Sequence, residues 1–186
     1  RAQAVISLEI THWANGELTA ARRALDDWMN AMRQIGNDVF VIATAFAVAD
    51  IQIAQGLLRD ARRTYEQSLQ LAAEAGPEAQ AITAHHHLGL ALLDRELGNA
   101  EECAQHWQKA EELGQRTTIA DWPHRWHVAQ ARVKASEGDF DAALDLLDEA
   151  QRVYVKSTVP DLRPVEALKA QVYLRLGHLS KAQAWV

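Results

Sequence analysis

Five glycines, Gly16, Gly56, Gly98, Gly138 and Gly177, recur at spacings of 40, 42, 40 and 39 residues, and their surroundings recur with them: NGELTAA, QGLLRDA, LGNAEECA, EGDFDAA and LGHLSKA. Five residues after each glycine stands Ala21, Ala61, Cys103, Ala143 or Ala182, and nine after it, in the four longer copies, Leu25, Tyr65, Trp107 or Leu147. Seven before it stands Glu9, Ala49, Ala91, Ala131 or Ala170. Each position has a physical cause. Glycine supplies the left-handed backbone conformation that ends a helix sharply. The small residues on either side let the two helices cross closely, and the large one, a turn further along the same face, fills the space between them. Asn99 and Asp139 are placed to cap the helices that follow. The pattern predicts about ten helices in helix–turn–helix units. Pro77, Pro123, Pro160 and Pro164 fall between units or in a helix's first turn, where the missing amide is harmless. A unit of this kind cannot bury its apolar face alone; stacking buries it.

Composition agrees with that reading. Hydrophobic residues make up 48 % of 186, with only 9 Gly and 4 Pro, and Ala and Leu dominate over β-branched types, which favours a helical, ordered chain. The single cysteine, Cys103, excludes an internal disulfide framework and fits a reducing, cytoplasmic compartment. No apolar run reaches the roughly 18 residues of a membrane span, and no signal-peptide pattern opens the chain. The net charge of −6 argues against nucleic acid as a direct partner, because phosphate binding needs a positive field. Helix-like sequence begins directly after Arg1 and AQAWV ends the chain inside another such run. Residues 1–186 are therefore expected to be a single superhelical domain, cut from a longer protein.

The glycine turn, the small residue five later and the large one nine later resemble the tetratricopeptide repeat (TPR), and the match extends to Ala110 and Ala150. The period differs from the usual ~34, and the motif's large residue before the glycine is replaced by Gln130 and Lys169. The expected fold is all-α: a TPR-like right-handed superhelix of about five repeats with a period near 40. The run WPHRWHVAQARVKASEGDFDAALDLLDEAQRVYV, with PDLRPVEALKAQVYLRLGHLSKAQAWV and more weakly AHHHLGLALLDRELGNAEECAQHW, is similar to the sensor region of MalT-like, large ATP-dependent LuxR-family transcription regulators. That resemblance implies a nucleotide-binding switch before the superhelix and a DNA-binding helix-turn-helix after it in a bacterial parent protein. It also implies an inducer received by the superhelix, an oligosaccharide in the maltose regulators. No GxxxxGK[ST] phosphate loop occurs in this chain.

In the tetratricopeptide register, positions thirteen, six and two before each glycine line the inner groove: Ala43, Asp50 and Ala54; His85, Leu92 and Glu96; Arg125, Arg132 and Ser136; Pro164, Gln171 and Arg175. Asp50, Arg132 and Gln171 are equivalent and polar, suited to a sugar or carboxylate ligand. A solvated or internally paired concave face is the simpler account of the same residues. Trp122 and Trp126 share a helical face beside His124 and Arg125, a combination that suits sugar rings or cations, or else helix packing. Trp28, Trp107 and Trp185 fall at packing positions, and Trp13 is undecided. Asp50, His85, Trp122, Arg125, Trp126, Arg132, Gln171 and Arg175 form the expected ligand-binding set.

Other chemistry is poorly supported. Consecutive helical residues point ~100° apart, so His85, His86 and His87 cannot together ligate one ion. His124 and His127, near Asp121, have a permissible spacing and little else. Asp26–Asp27 and Glu111–Glu112 fit exposed helix surface. Cys103, at a small packing position, fits an inert buried thiol, and no nucleophile elbow occurs. No enzymatic activity, metal or cofactor is expected. The expected function is signal sensing and protein interaction in a transcription activator. Its partners would be a small-molecule inducer and the adjoining nucleotide-binding and DNA-binding domains. The competing function is a scaffold whose groove takes a peptide or partner protein.

Overall fold

The structure is a computed structural model that describes residues 16–117, 119–155 and 164–184. Those residues form helices and turns, with no strand among them. The helices are α1 (Leu18–Gln34), α2 (Asp38–Ala54), α3 (Leu58–Ala75), α4 (Pro77–Ala81), α5 (Ala84–Leu97), α6 (Ala100–Gly114), α7 (Trp122–Glu137), α8 (Phe140–Arg152), α9 (Val165–Arg175) and α10 (Leu179–Gln183). Described residues up to Ile119 belong to one compact unit and those from Ala120 onward to a second.

All five repeat glycines have positive φ, between 75° and 84°. In four corners the residue after the glycine donates its amide to a carbonyl five positions back: Leu57 to Gln52 at 2.8 Å, Asn99 to Asp94 at 2.9 Å, Asp139 to Lys134 at 3.0 Å and His178 to Tyr173 at 2.9 Å. This six-to-one bond satisfies a carbonyl that the ending helix leaves open. The same corner occurs at Gly36, with φ 68° and Asn37 bonded to Met32 at 2.9 Å; it joins α1 to α2 between repeats. Its signal, a second glycine series (Gly36 and Gly76), was present in the sequence. Asp139 caps α8 by accepting from the Ala142 amide at 3.3 Å. Asn99, expected to do the same for α6, instead donates its side-chain amide to the Asp94 carboxylate at 3.2 Å. Asn37 is an additional cap, on the Phe40 amide.

Each helix packs on its sequence neighbour within a hairpin, α2 on α3, α5 on α6, α7 on α8 and α9 on α10. Successive hairpins join through α1 with α2, α3 with α5 and α8 with α9, and the first helices α2 and α5 also touch. The small pairs meet as required: Ala49 and Ala61 share one apolar cluster with Phe46, Tyr65, Leu90 and Leu93. In the second unit Ala131 and Ala143 share a cluster with Leu147, Ala150, Val165, Leu168 and Val172. Cys103 and Trp107, at the corresponding positions of α6, are only half-buried. Trp28 is also half-buried and meets Phe40 edge-on at 6.5 Å. Trp13, Trp185, Glu9 and Pro160 lie outside the described residues.

Two departures from the repeat have visible causes. The spacing of 42 accommodates α4, a short helix absent from the simple hairpin scheme, which starts at Pro77 and places Ala79 in a cluster with Ile42 and Ala72. Lys169 replaces a large apolar residue, and its buried stem carries the ammonium to Asp148 and to the Gln151 side chain, which it reaches at 2.7 Å. At Gly89, in mid-helix, a Cβ would lie 2.2 Å from the Tyr65 ring, so the missing side chain is the space that ring occupies. Gly89→Ala is therefore expected to cost about 1–3 kcal/mol, as is Ala143→Leu at the α7–α8 crossing, both measured by urea unfolding. A neutral result at Ala143 would show that the two helices do not cross there.

Candidate functional site

The first helices of the repeats carry the polar residues of interest, and the two units differ in how they use them. In the first unit Asp50 on α2 accepts from the Tyr65 hydroxyl on α3 at 3.0 Å. His85 on α5 is buried and stacks on Phe46, ring centroids 4.7 Å apart. His86 is fully buried, within 3.0 Å of the Ser68 hydroxyl through Nε2. His87 faces His106 of α6 with its Nδ1 2.9 Å from the other Nδ1. One of those two nitrogens must donate and the other accept, so the pair cannot be doubly protonated at this contact. The three consecutive histidines thus point to three environments, as helix geometry demands. Asp94, fully buried, pairs with Arg62 of α3. Neither the His87–His106 contact nor the Arg62–Asp94 pair was singled out from the sequence. The available signal was an aspartate inside the apolar run LGLALLDREL and an arginine recurring six after Gly16 and Gly56.

The second unit gathers six of the eight expected ligand residues. At the start of α7, Asp121 and Arg125 form a largely buried ion pair, Nε to Oδ2 at 2.8 Å. The Trp122 and Trp126 rings stack 5.4 Å apart with planes 25° from parallel. Trp122 is buried, at 7 % exposure, so it backs Trp126 rather than offering a face of its own; Trp126 is half-buried. His124 is buried and its Nδ1 donates to the Ala150 carbonyl at 2.8 Å, which ties α7 to α8. Arg132 is half-buried, two turns along from Arg125 on the same side of the helix. On α9, Gln171 and Arg175 are exposed, one turn apart, and Arg175 donates to the Ala135 carbonyl of α7 at 3.4 Å. Asp50 and His85 belong to the first unit. Among the described residues no group of three or more His, Cys, Asp and Glu side chains could hold a metal ion, and no helix is long and apolar enough to cross a membrane.

Burial dominates the titration of the histidines. It pushes His86 down to about 3, helped by the neighbouring His85 and His87. Burial, then His106 and Lys109, lowers His87 to about 4, and burial likewise lowers His106. Burial raises the Cys103 thiol, which disfavours a nucleophilic thiolate.

The sequence pattern of the MalT-like TPR region matches residues 1–186. Among solved structures, BtubC (BKLC) from P. vanneervenii is similar over 97 % of this chain and 75 % of its own, with 19 % identity and a TM-score of 0.58. TTC0263, a thermophilic TPR protein in Thermus thermophilus, is similar over 100 % of this chain and 88 % of its own, with 20 % identity and a TM-score of 0.57. At such identities these likenesses carry the fold alone: all-α and TPR-like. No curated protein matches the sequence.

The histidines set an acid limit. Unfolding frees His86 and His87 to take up protons near the ordinary value of ~6.5, which the folded chain refuses until about 3 and about 4. Their contribution is present above pH ~6.5 and is lost as the pH falls below it, by about 2 kcal/mol for each histidine between pH 7 and pH 5. Urea midpoints across that range should fall accordingly, and His87→Gln should remove roughly half of the fall. An unchanged slope would contradict the burial of these rings.

Proposed function

Because this chain belongs to the MalT-like TPR region family, we propose that it is the signal-receiving region of a larger ATP-dependent transcription regulator of the LuxR type. The inducer is taken on the face that α7 and α9 share in the second unit. By the tetratricopeptide register Arg125, Arg132 and Arg175 fall at groove positions with Gln171, and the half-buried Trp126 ring adjoins Arg125, in a chain whose net charge is −6. That combination is the observation that carries the reading. A stacked indole offers a flat apolar face to a sugar ring, while arginine and glutamine supply donors to hydroxyl or carboxylate oxygens. Asp121 holds the Arg125 guanidinium in place, so less side-chain entropy is lost when a ligand arrives. Asp50, half-buried on α2 of the first unit, and the buried His85 are not part of this face. Ligand that favours one arrangement of the repeats by ~1–3 kcal/mol is sufficient to bias the nucleotide switch of the parent protein.

One observation favours a second reading, a scaffold for a protein partner. Ile35, Val39 and Phe40 are exposed together around the α1–α2 corner, at 68, 50 and 52 %, beside the half-buried Trp28. Apolar surface of this kind suits another domain of the parent protein.

A thermal-shift series with neutral and acidic oligosaccharides and carboxylate metabolites separates the two. The sensor reading expects at least one compound to raise the melting temperature. It also expects Arg132→Ala to leave the ligand-free melting temperature nearly unchanged while weakening that compound by ~1.5–3 kcal/mol, the worth of a hydrogen bond to a charged group. If no compound acts and a domain of the parent protein binds, the scaffold reading replaces it. Severe unfolding of the Arg132 variant would make that residue structural.

A further inference from the structure

The seam between α3 and α5, the junction of two successive repeats in the first unit, is built differently from the seam between α8 and α9 in the second. On α3, Arg62, Tyr65 and Ser68 are spaced by three and so share one face. Each meets a partner further back along α5: Arg62 meets Asp94, the Tyr65 ring fills the notch at Gly89, and Ser68 meets His86. The two helices therefore run antiparallel with their polar groups in step. Tyr65, Ser68, His86 and Asp94 are each at most 5 % exposed. The Tyr65 hydroxyl continues the chain of contacts to Asp50 on α2, and Asn99 adds a second donor to Asp94 from the corner beyond α5. In the second unit the corresponding seam buries Leu147, Ala150, Val165, Leu168 and Val172, and its polar contacts, such as Gln151 with Glu166, are exposed.

Apolar contacts are non-directional, so an apolar seam tolerates sliding by a turn; a polar seam does not. Moving α5 one turn along α3 would place Arg62 against Leu90 and leave the Asp94 carboxylate buried without its cation, which is strongly unfavourable. Replacing buried ion pairs by apolar side chains often leaves stability unchanged, and in some proteins a buried polar or ionic group serves to select one arrangement; Arg62–Asp94, with the carboxylate fully buried and the guanidinium partly so, is a candidate for that role. We propose that the α3–α5 seam is a register lock: Arg62–Asp94, Tyr65 in the Gly89 notch and Ser68–His86 hold these two repeats in one relative position. Through the Tyr65–Asp50 contact the lock also couples the polar face of α2 to the third repeat.

The test is made on the whole 186-residue chain without any ligand, so it is independent of whether an inducer is found. Arg62→Met combined with Asp94→Leu is expected to keep the melting temperature close to that of the parent. Amide hydrogen exchange in α5 should then be at least about tenfold faster, or the α5 amide resonances should be doubled, because a second register becomes accessible. A single set of resonances with unchanged exchange in α5 would overturn the lock. Should the double variant not fold, Tyr65→Phe, which keeps the ring in its notch and removes only the hydroxyl, decides. Exchange in α2 and α5 that quickens together, by about tenfold, supports the coupling, and unchanged exchange in both refutes it.

Discussion

The left-handed corner at each glycine is the constraint from which the rest of the molecule follows. An α-helix that stops abruptly leaves its last carbonyls open, and a residue at positive φ lets the chain turn back far enough for the next amide but one to reach them. For a residue with a Cβ that conformation costs about 1–2 kcal/mol. The bond from Asp139 to Lys134, and its counterparts at Gly56, Gly98 and Gly177, therefore fix both where a helix ends and the direction in which its successor leaves. Once that direction is set, residues seven before and five after the corner face each other. Only small ones fit there, which is why Ala49 meets Ala61 and Ala131 meets Ala143 in their clusters. Leu147 and Tyr65, a turn beyond, then fill the wider space between the helices and supply much of the burial, ~1.5–3 kcal/mol for a side chain of this size.

This division explains what could be seen in the sequence. The corners within hairpins repeat because their left-handed geometry strongly favours glycine, and the fold follows from them, whereas the family resemblance rests on the longer runs around them, such as WPHRWHVAQARVKASEGDFDAALDLLDEAQRVYV. The connections between hairpins are less constrained: Gly36 makes a second corner of the same kind, Gly76 leads into the short helix α4, and α6 ends at Gln115 without a left-handed residue. No single periodic signal covers such variety. The side-chain partners were the least legible. Asn99 occupies a capping position, but the neighbouring Asp94 is buried and charged, and the carboxylate outcompetes the open amides of α6 for its side chain. Trp122 and Trp126 are alike in sequence, yet one is buried and the other half-buried, because their directions around α7 differ by about a turn's mismatch of 40° over four residues.

Within each unit the first helices α2, α5 and α9 are covered by their own hairpin partner and by the second helix of the preceding repeat, and polar groups on buried faces are costly unless paired. The pairing takes three forms here. Some groups bond to a side chain of the second helix, as Asp50 does with Tyr65 and His86 with Ser68. Others bond to a backbone carbonyl, as His124 does with Ala150. A third kind forms an ion pair, either between helices, as with Asp94 and Arg62, or along one helix, as with Asp121 and Arg125. The second helices are ordinary amphipathic elements by comparison, and the exposed pairs along them, such as Arg152 with Glu149, are of a kind that contributes little.

Three arginines fall at the groove positions of the repeat register on α7 and α9. They are Arg125, Arg132 and Arg175, and Asp121 pairs with the first of them. Arg175 donates to the Ala135 carbonyl in the last turn of α7, which also accepts from the Gly138 amide, and a cation is favourably placed at a helix C-terminus. The position of Arg132 and Gln171 holds Leu92 on α5 and Asp50 on α2. Under the sensor reading proposed above, an oxygen-rich ligand accepting hydrogen bonds from the three guanidinium groups would give their register positions a use beyond folding.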